Sequence, residues 1–167
     1  MTSNAAGRDV SAAECHCIYD HEYLGNTADL MKSDLSKYKT LRQAIEEGRI
    51  EQIHALLDDG LPIDVDFGGG VTPLHIAVQE GQAEVVRILL SRGADPNART
   101  RADWTPMHMV ALTGDQEIAL LLFEHGAILD RATVQGLTPI HLAKIHKRQE
   151  MITLFSKMGK RWWQFWK

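Results

Sequence analysis

Three histidines stand at one spacing. His75, His108 and His141 are 33 residues apart, and each lies three residues after a threonine, Thr72, Thr105 and Thr138. Histidine changes charge near neutral pH and binds metals well, so a row of three invites a catalytic or metal-binding reading. The spacing argues against it. A constant 33-residue step puts each histidine on a separate structural unit, too far from the next to share one metal. No carboxylate lies within one helical turn of any of the three histidines, so no recurrent acid–base pair is evident. Cys15-His16-Cys17 with His21 offers four potential zinc ligands. Zinc clamps usually separate their paired ligands by two to four residues, which this segment does not. An oxidation-sensitive thiol pair and an inert tail are the other readings of it. Gly68-Gly69-Gly70 lacks the Lys-Ser or Lys-Thr of a phosphate loop and reads as a permissive turn. No nucleophile elbow and no His-Glu-x-x-His motif occurs. The chain is expected not to be an enzyme and to need no cofactor or metal.

The histidines belong to a longer pattern. Thr72-Pro73-Leu74-His75 recurs as Thr105-Pro106-Met107-His108 and Thr138-Pro139-Ile140-His141. Gly93, Gly126 and Gly159 keep the same step, as do Glu84, Glu117 and Glu150, and Val85, Ile118 and Met151. One step back, Leu41, Ala44, Gly48, Leu56, Leu57 and Gly60 match Leu74, Ala77, Gly81, Leu89, Leu90 and Gly93. Within a unit, Thr72 suits an N-cap and Pro73 the first helical position, where no N–H is needed. Leu74, Ala77 and Val78 form one apolar stripe of a helix that Gly81 ends. Glu84 to Ser91 reads as a second helix, closed by Gly93 in a left-handed cap, and Asp95-Pro96-Asn97 favours a turn. Neither helix can bury its apolar face alone, so units must stack.

These units resemble ankyrin repeats in their period and in the Thr-Pro-Leu-His-x-Ala pattern. The resemblance covers residues 39–159. It implies an all-α fold, an ankyrin-repeat solenoid of four helix-turn-helix units at 39–71, 72–104, 105–137 and 138–159. An N-terminal extension, 1–38, precedes them and a basic aromatic tail, 160–167, follows. The first unit has Lys39-Thr40-Leu41-Arg42 in place of the motif. The last has Lys147 where the others have glycine, and Lys144 where the second and third have Val78 and Ala111. Such departures suit end units with an outer face to cover. The resemblance gives the Thr–His pairs a structural role, tying neighbouring loops together. It also makes Asn97 either a turn former or a hydroxylation target.

The same resemblance implies non-catalytic binding of another protein, as an adaptor or as an inhibitor that occludes its partner. Loop tips and the concave face made by the first helices are the contact places. Register puts Phe67, Arg99, Arg101, Trp104 and Val134 at or beside the tips, and Leu112, Thr113, Ile145 and His146 on the helix edge. Leu112 and Ile145 are apolar where exposure is expected, which suits a contact patch. Core packing explains Trp104 equally well.

Lys160-Arg161-Trp162-Trp163-Gln164-Phe165-Trp166-Lys167 holds three of the four tryptophans and shows no clear helical or strand period. It caps the stack, enters a partner's pocket through Trp162, Trp163, Phe165 and Trp166, or lies at a membrane interface. The last reading makes the chain a membrane-associated scaffold or effector, held weakly. Burying four aromatics is worth about 8–12 kcal/mol. Fixing seven backbones costs on the order of 7–14. The tail should therefore order only on a receiving surface. In the N-terminal extension, residues 1–22 read as mobile, and 27–37 as a short helix that either covers the first unit or acts as a recognition element.

Composition bounds the rest. The 167 residues carry a formal charge of −4 and are 44% hydrophobic. Residues 39–143 hold eight basic and fifteen acidic side chains, and residues 144–167 hold seven and one. The acidic body argues against nucleic acid as a partner. No segment approaches the apolar length needed to span a bilayer. The first residues lack a signal-peptide pattern, so a cytoplasmic, intracellular location is expected. Two cysteines do not make a disulfide framework. A monomer is expected in the unbound state.

Overall fold

The computed structural model describes the backbone of residues 32–165 and the side chains of 36–159. Cys15, His16, Cys17, His21, most of the N-terminal extension, Trp166 and Lys167 lie outside the described residues. Among those described there are eight helices and no strand. They are α1 Lys32–Glu46, α2 Ile50–Asp58, α3 Pro73–Gln79, α4 Ala83–Ser91, α5 Pro106–Thr113, α6 Gln116–Glu124, α7 Pro139–Ile145 and α8 Gln149–Phe165.

Each odd-numbered helix packs against the even-numbered helix that follows it. The odd-numbered helices also pack in chain order, α1 on α3, α3 on α5 and α5 on α7. These inner helices are wedged between neighbours, so their stripes widen until almost every side is covered. Pro73 to Val78 and Pro106 to Ala111 are buried without a break. A helix buried all round need not be amphipathic. The even-numbered helices keep one wet side. Val85, Val86, Leu89 and Leu90 face the core from α4, while Glu84 and Arg87 are exposed. On that outer side Arg92 reaches Asp58 at 2.5 Å, Arg87 reaches Glu117 at 3.1 Å and Gln116 reaches Glu150 at 2.7 Å. Each such bond links one pair to another. Exposed ion pairs of this kind are worth little individually, so the core carries the stability.

Two boundaries differ from expectation. Residues 32–37 of the helix expected over 27–37 and the first helix of the first unit are one helix from Lys32 to Glu46, and residues 27–31 lie outside the described residues. Leu41, Ala44 and Ile45 on it are buried. The tail, which shows no period by itself, continues α8 through Phe165. The reason lies upstream. Met151, Phe155 and Met158 form the buried stripe of α8, which fixes the helix on both sides of Gly159. Gly93 and Gly126 turn left-handed, at φ +90° and +89°, and end their helices. Gly159, at the same register, stays inside α8. The backbone therefore runs on past Gly159 where its counterparts turn.

Candidate interaction surface

The loops entering α3, α5 and α7 share one geometry. In each, the same backbone bond closes a tight turn. Phe67 N–H donates to the Val71 carbonyl, Thr100 N–H to Trp104 and Thr133 N–H to Leu137, all at 2.8–2.9 Å. Bonds also run between loops. Arg101 N–H donates to the Gly69 carbonyl at 2.7 Å, and Val134 N–H to the Ala102 carbonyl at 3.2 Å. The three tips are thus one hydrogen-bonded row.

Gly70 shows how close this approach is. Its φ is +81°, and an added Cβ would lie 2.5 Å from the Arg99 carbonyl oxygen. Only glycine fits there. The neighbouring carboxylate of Asp66 accepts from Gly68 and Gly70 N–H at 2.7 and 2.9 Å and shapes the turn. Asp103, one repeat on, takes φ +60° without being glycine, and Arg99 pairs with its carboxylate at 2.8 Å.

The histidines lock this row from beneath. The Thr72 N–H can only donate, so His75 Nδ1 accepts from it, at 3.2 Å, with Thr72 Oγ1 at 2.9 Å. The Trp104 carbonyl can only accept, so His75 Nε2 carries the proton and donates to it at 3.3 Å. His108 repeats the arrangement with Thr105, at 3.2 and 2.8 Å, and with the Leu137 carbonyl at 3.1 Å. Each ring is therefore neutral and bridges its own helix start to the next loop. Burial pushes the His75 pKa down to about 4 against the pull of the Trp104 carbonyl, and burial lowers that of His108 as well. His141 makes the local contacts to Thr138, at 3.2 and 3.4 Å, but is exposed.

Several tying residues are not evident from motif inspection. Asn97 does more than form a turn. Its Oδ1 accepts from Ile128 N–H at 2.8 Å and its Nδ2 donates to the Gly126 carbonyl at 3.0 Å. Asp64, one step earlier, accepts from Asp95 N–H at 3.2 and 3.3 Å. Thr100 and Thr133 are buried and clasp their own loops through their hydroxyls. Their 33-residue spacing was the available signal.

The expected contact residues divide into three groups. Phe67, Trp104 and Leu112 are half-buried and pack against the core. The Trp104 ring tilts over His108, with centroids 5.9 Å apart. Arg99, Arg101 and Thr113 are exposed, His146 is half-buried at the end of α7, and Val134 and Ile145 are 65% and 49% exposed. Leu120 is also exposed, at 41%, on the outer helix α6. Trp162, Trp163 and Phe165 lie on the last two turns of α8, with side chains outside the described residues.

Two cavities flank α8. One, of about 180 Å³, is lined mainly by Phe123, Ala127, Ile128, Leu129 and Gly159. The other, of about 280 Å³, is lined by Gln116, Gln149, Glu150, Thr153, Leu154 and Lys157. Among the described residues no group of three His, Cys, Asp or Glu is placed to hold a metal, and no helix is long and apolar enough to cross a membrane.

The family model of the ankyrin repeat matches residues 69–101. The match opens and closes on Gly69 and Arg101, the two residues joined by the loop-to-loop bond. Residues 69–101 are an ankyrin repeat. Ankyrin repeats generally mediate protein–protein interaction and are typically non-catalytic. No curated protein matches the chain.

Proposed function

We propose that the chain is a non-catalytic, cytoplasmic protein-binding module. The 33-residue period extends the ankyrin repeat at 69–101 into a stack of four, and the stack binds one protein as an adaptor or an occluding inhibitor. Binding uses the loop tips and the exposed edge of the first helices. The observation that carries the reading is the bonded row of tips. Arg101 bonded to Gly69 and Val134 bonded to Ala102 hold exposed side chains on a backbone fixed before any partner arrives. Pre-ordered loops lose little entropy on association. Val134 and Ile145 add exposed apolar surface on that side, flanked by Arg99, Arg101, Thr113 and His146. The unbound chain is a monomer on this reading, and nucleic acid is not its ligand.

The test is quantitative capture from lysate of the native source, with the full chain and its Val134→Asp/Ile145→Asp variant as baits. Both substitutions are at exposed positions, so the fold should survive. A specific partner should bind the first bait and be reduced more than tenfold on the second, the loss expected when charge enters an apolar contact. Equal capture by both would place the binding surface elsewhere.

A further inference from the structure

We infer that the end of α8 is an interfacial anchor for an anionic lipid bilayer. Three observations converge on this segment, independently of the protein-binding face. First, α8 keeps the register of α4 and α6 but does not stop with them. Those helices end at Ser91 and Glu124, and the equivalent position in α8 is Lys157. Eight residues more follow, about 12 Å of helix. Second, charge is segregated there. Residues 151–167 contain Lys157, Lys160, Arg161 and Lys167 and no acid. Lys157 is exposed, and no ion pair to it exists among the described residues. Third, the same two helical turns carry Trp162, Trp163 and Phe165, with Trp166 next in sequence. Tryptophan beside lysine and arginine is the composition favoured where hydrocarbon meets charged headgroups.

Other anionic partners fit less well. Of the five acids in residues 39–60 of a second copy, four are already paired, Glu46 with Arg42, Glu47 with Arg49, Asp58 with Arg92 and Asp59 with Lys37. A nucleic acid strand needs a longer basic track than one helix end, and residues 39–143 carry seven more acids than bases. A planar bilayer needs only the end.

The experiment is vesicle flotation of the full chain in about 0.15 M salt. Phosphatidylcholine vesicles are compared with vesicles containing about one-third phosphatidylserine. The chain should float only with the anionic vesicles. Lys157→Glu/Lys160→Glu/Arg161→Glu should weaken binding about a hundredfold or more, since each lost cation near the surface is worth roughly fivefold. Trp162→Ala/Trp163→Ala/Phe165→Ala should also abolish flotation, with unchanged circular dichroism in both variants. Failure of the wild type to float with phosphatidylserine overturns the inference. So does undiminished flotation of the charge-reversed variant, or binding to single-stranded DNA or poly-glutamate in place of vesicles.

Discussion

Removing the buried imidazole of His75 should flatten the acid sensitivity of the fold. The ring is fully buried, neutral and bonded at both nitrogens, to Thr72 and to the Trp104 carbonyl. Its pKa falls from 6.5 to about 4, chiefly because burial disfavours the cation. The sign follows from proton counting. Between these values the unfolded chain binds a proton that the folded chain refuses, so stability is complete above the unfolded value and is lost as pH falls toward 4. Each pH unit inside that window costs about 1.4 kcal/mol. At about pH 5.5, one unit into the window, His75 alone should cost about 1.4 kcal/mol relative to about pH 7.5. The full window would cost about 3 kcal/mol. The assay is urea denaturation of wild type and His75→Gln at both pH values. Glutamine retains an acceptor and a donor but no titration. Ordinary carboxylates titrate below this range, and the other histidines are common to both proteins, so they cancel. The wild type should lose about 1.4 kcal/mol more than the variant on going to the lower pH. Identical losses would refute the assignment of a buried, neutral ring.

Three further substitutions probe the loops. Lys147 takes φ +55° where Gly48, Gly81 and Gly114 stand in earlier pairs. Lys147→Gly should raise unfolding stability by about 0.5–1 kcal/mol, the left-handed penalty less the entropy glycine adds to the unfolded chain. A fall would show that no strain is stored there. Gly70→Ala should cost more than about 2 kcal/mol, because its Cβ meets the Arg99 carbonyl as well as an unfavourable φ. Gly69→Ala, with open space around its Cβ, should cost only about 1. Equal urea midpoints would remove the close-approach argument. Asn97→Ala should lose about 1–2 kcal/mol through two bonds to the next loop, with no change in pH dependence.

Most of the helix layout was readable because stacking repeats its solution. A residue that caps, fills or turns in one unit does the same 33 residues later. The exceptions arise where a position has no equivalent neighbour. Within Lys32–Glu46 no loop separates residues 32–37 from the first unit, so the described parts of two expected helices are one. At Gly159 the apolar stripe of α8 overrides the turn that Gly93 and Gly126 make. Leu112 was expected to be exposed by register, but α5 is enclosed on both sides and draws it against the core. Ile145, at the same register on α7, is 49% exposed. The loop ties of Asn97, Thr100 and Thr133 were hidden for another reason. Their partners are backbone groups, which a residue pattern does not display.

The most direct test of the binding face uses as reporters the three large apolar side chains exposed among the described residues. A photo-crosslinking amino acid would replace Val134, Ile145 or Leu120 in turn, with adducts from native lysate identified by mass spectrometry. Val134 and Ile145 belong to the proposed face, and Leu120 to the outer helix α6. One shared partner should be captured from Val134 and Ile145 and not from Leu120. Capture of that partner through Leu120 alone would contradict the account.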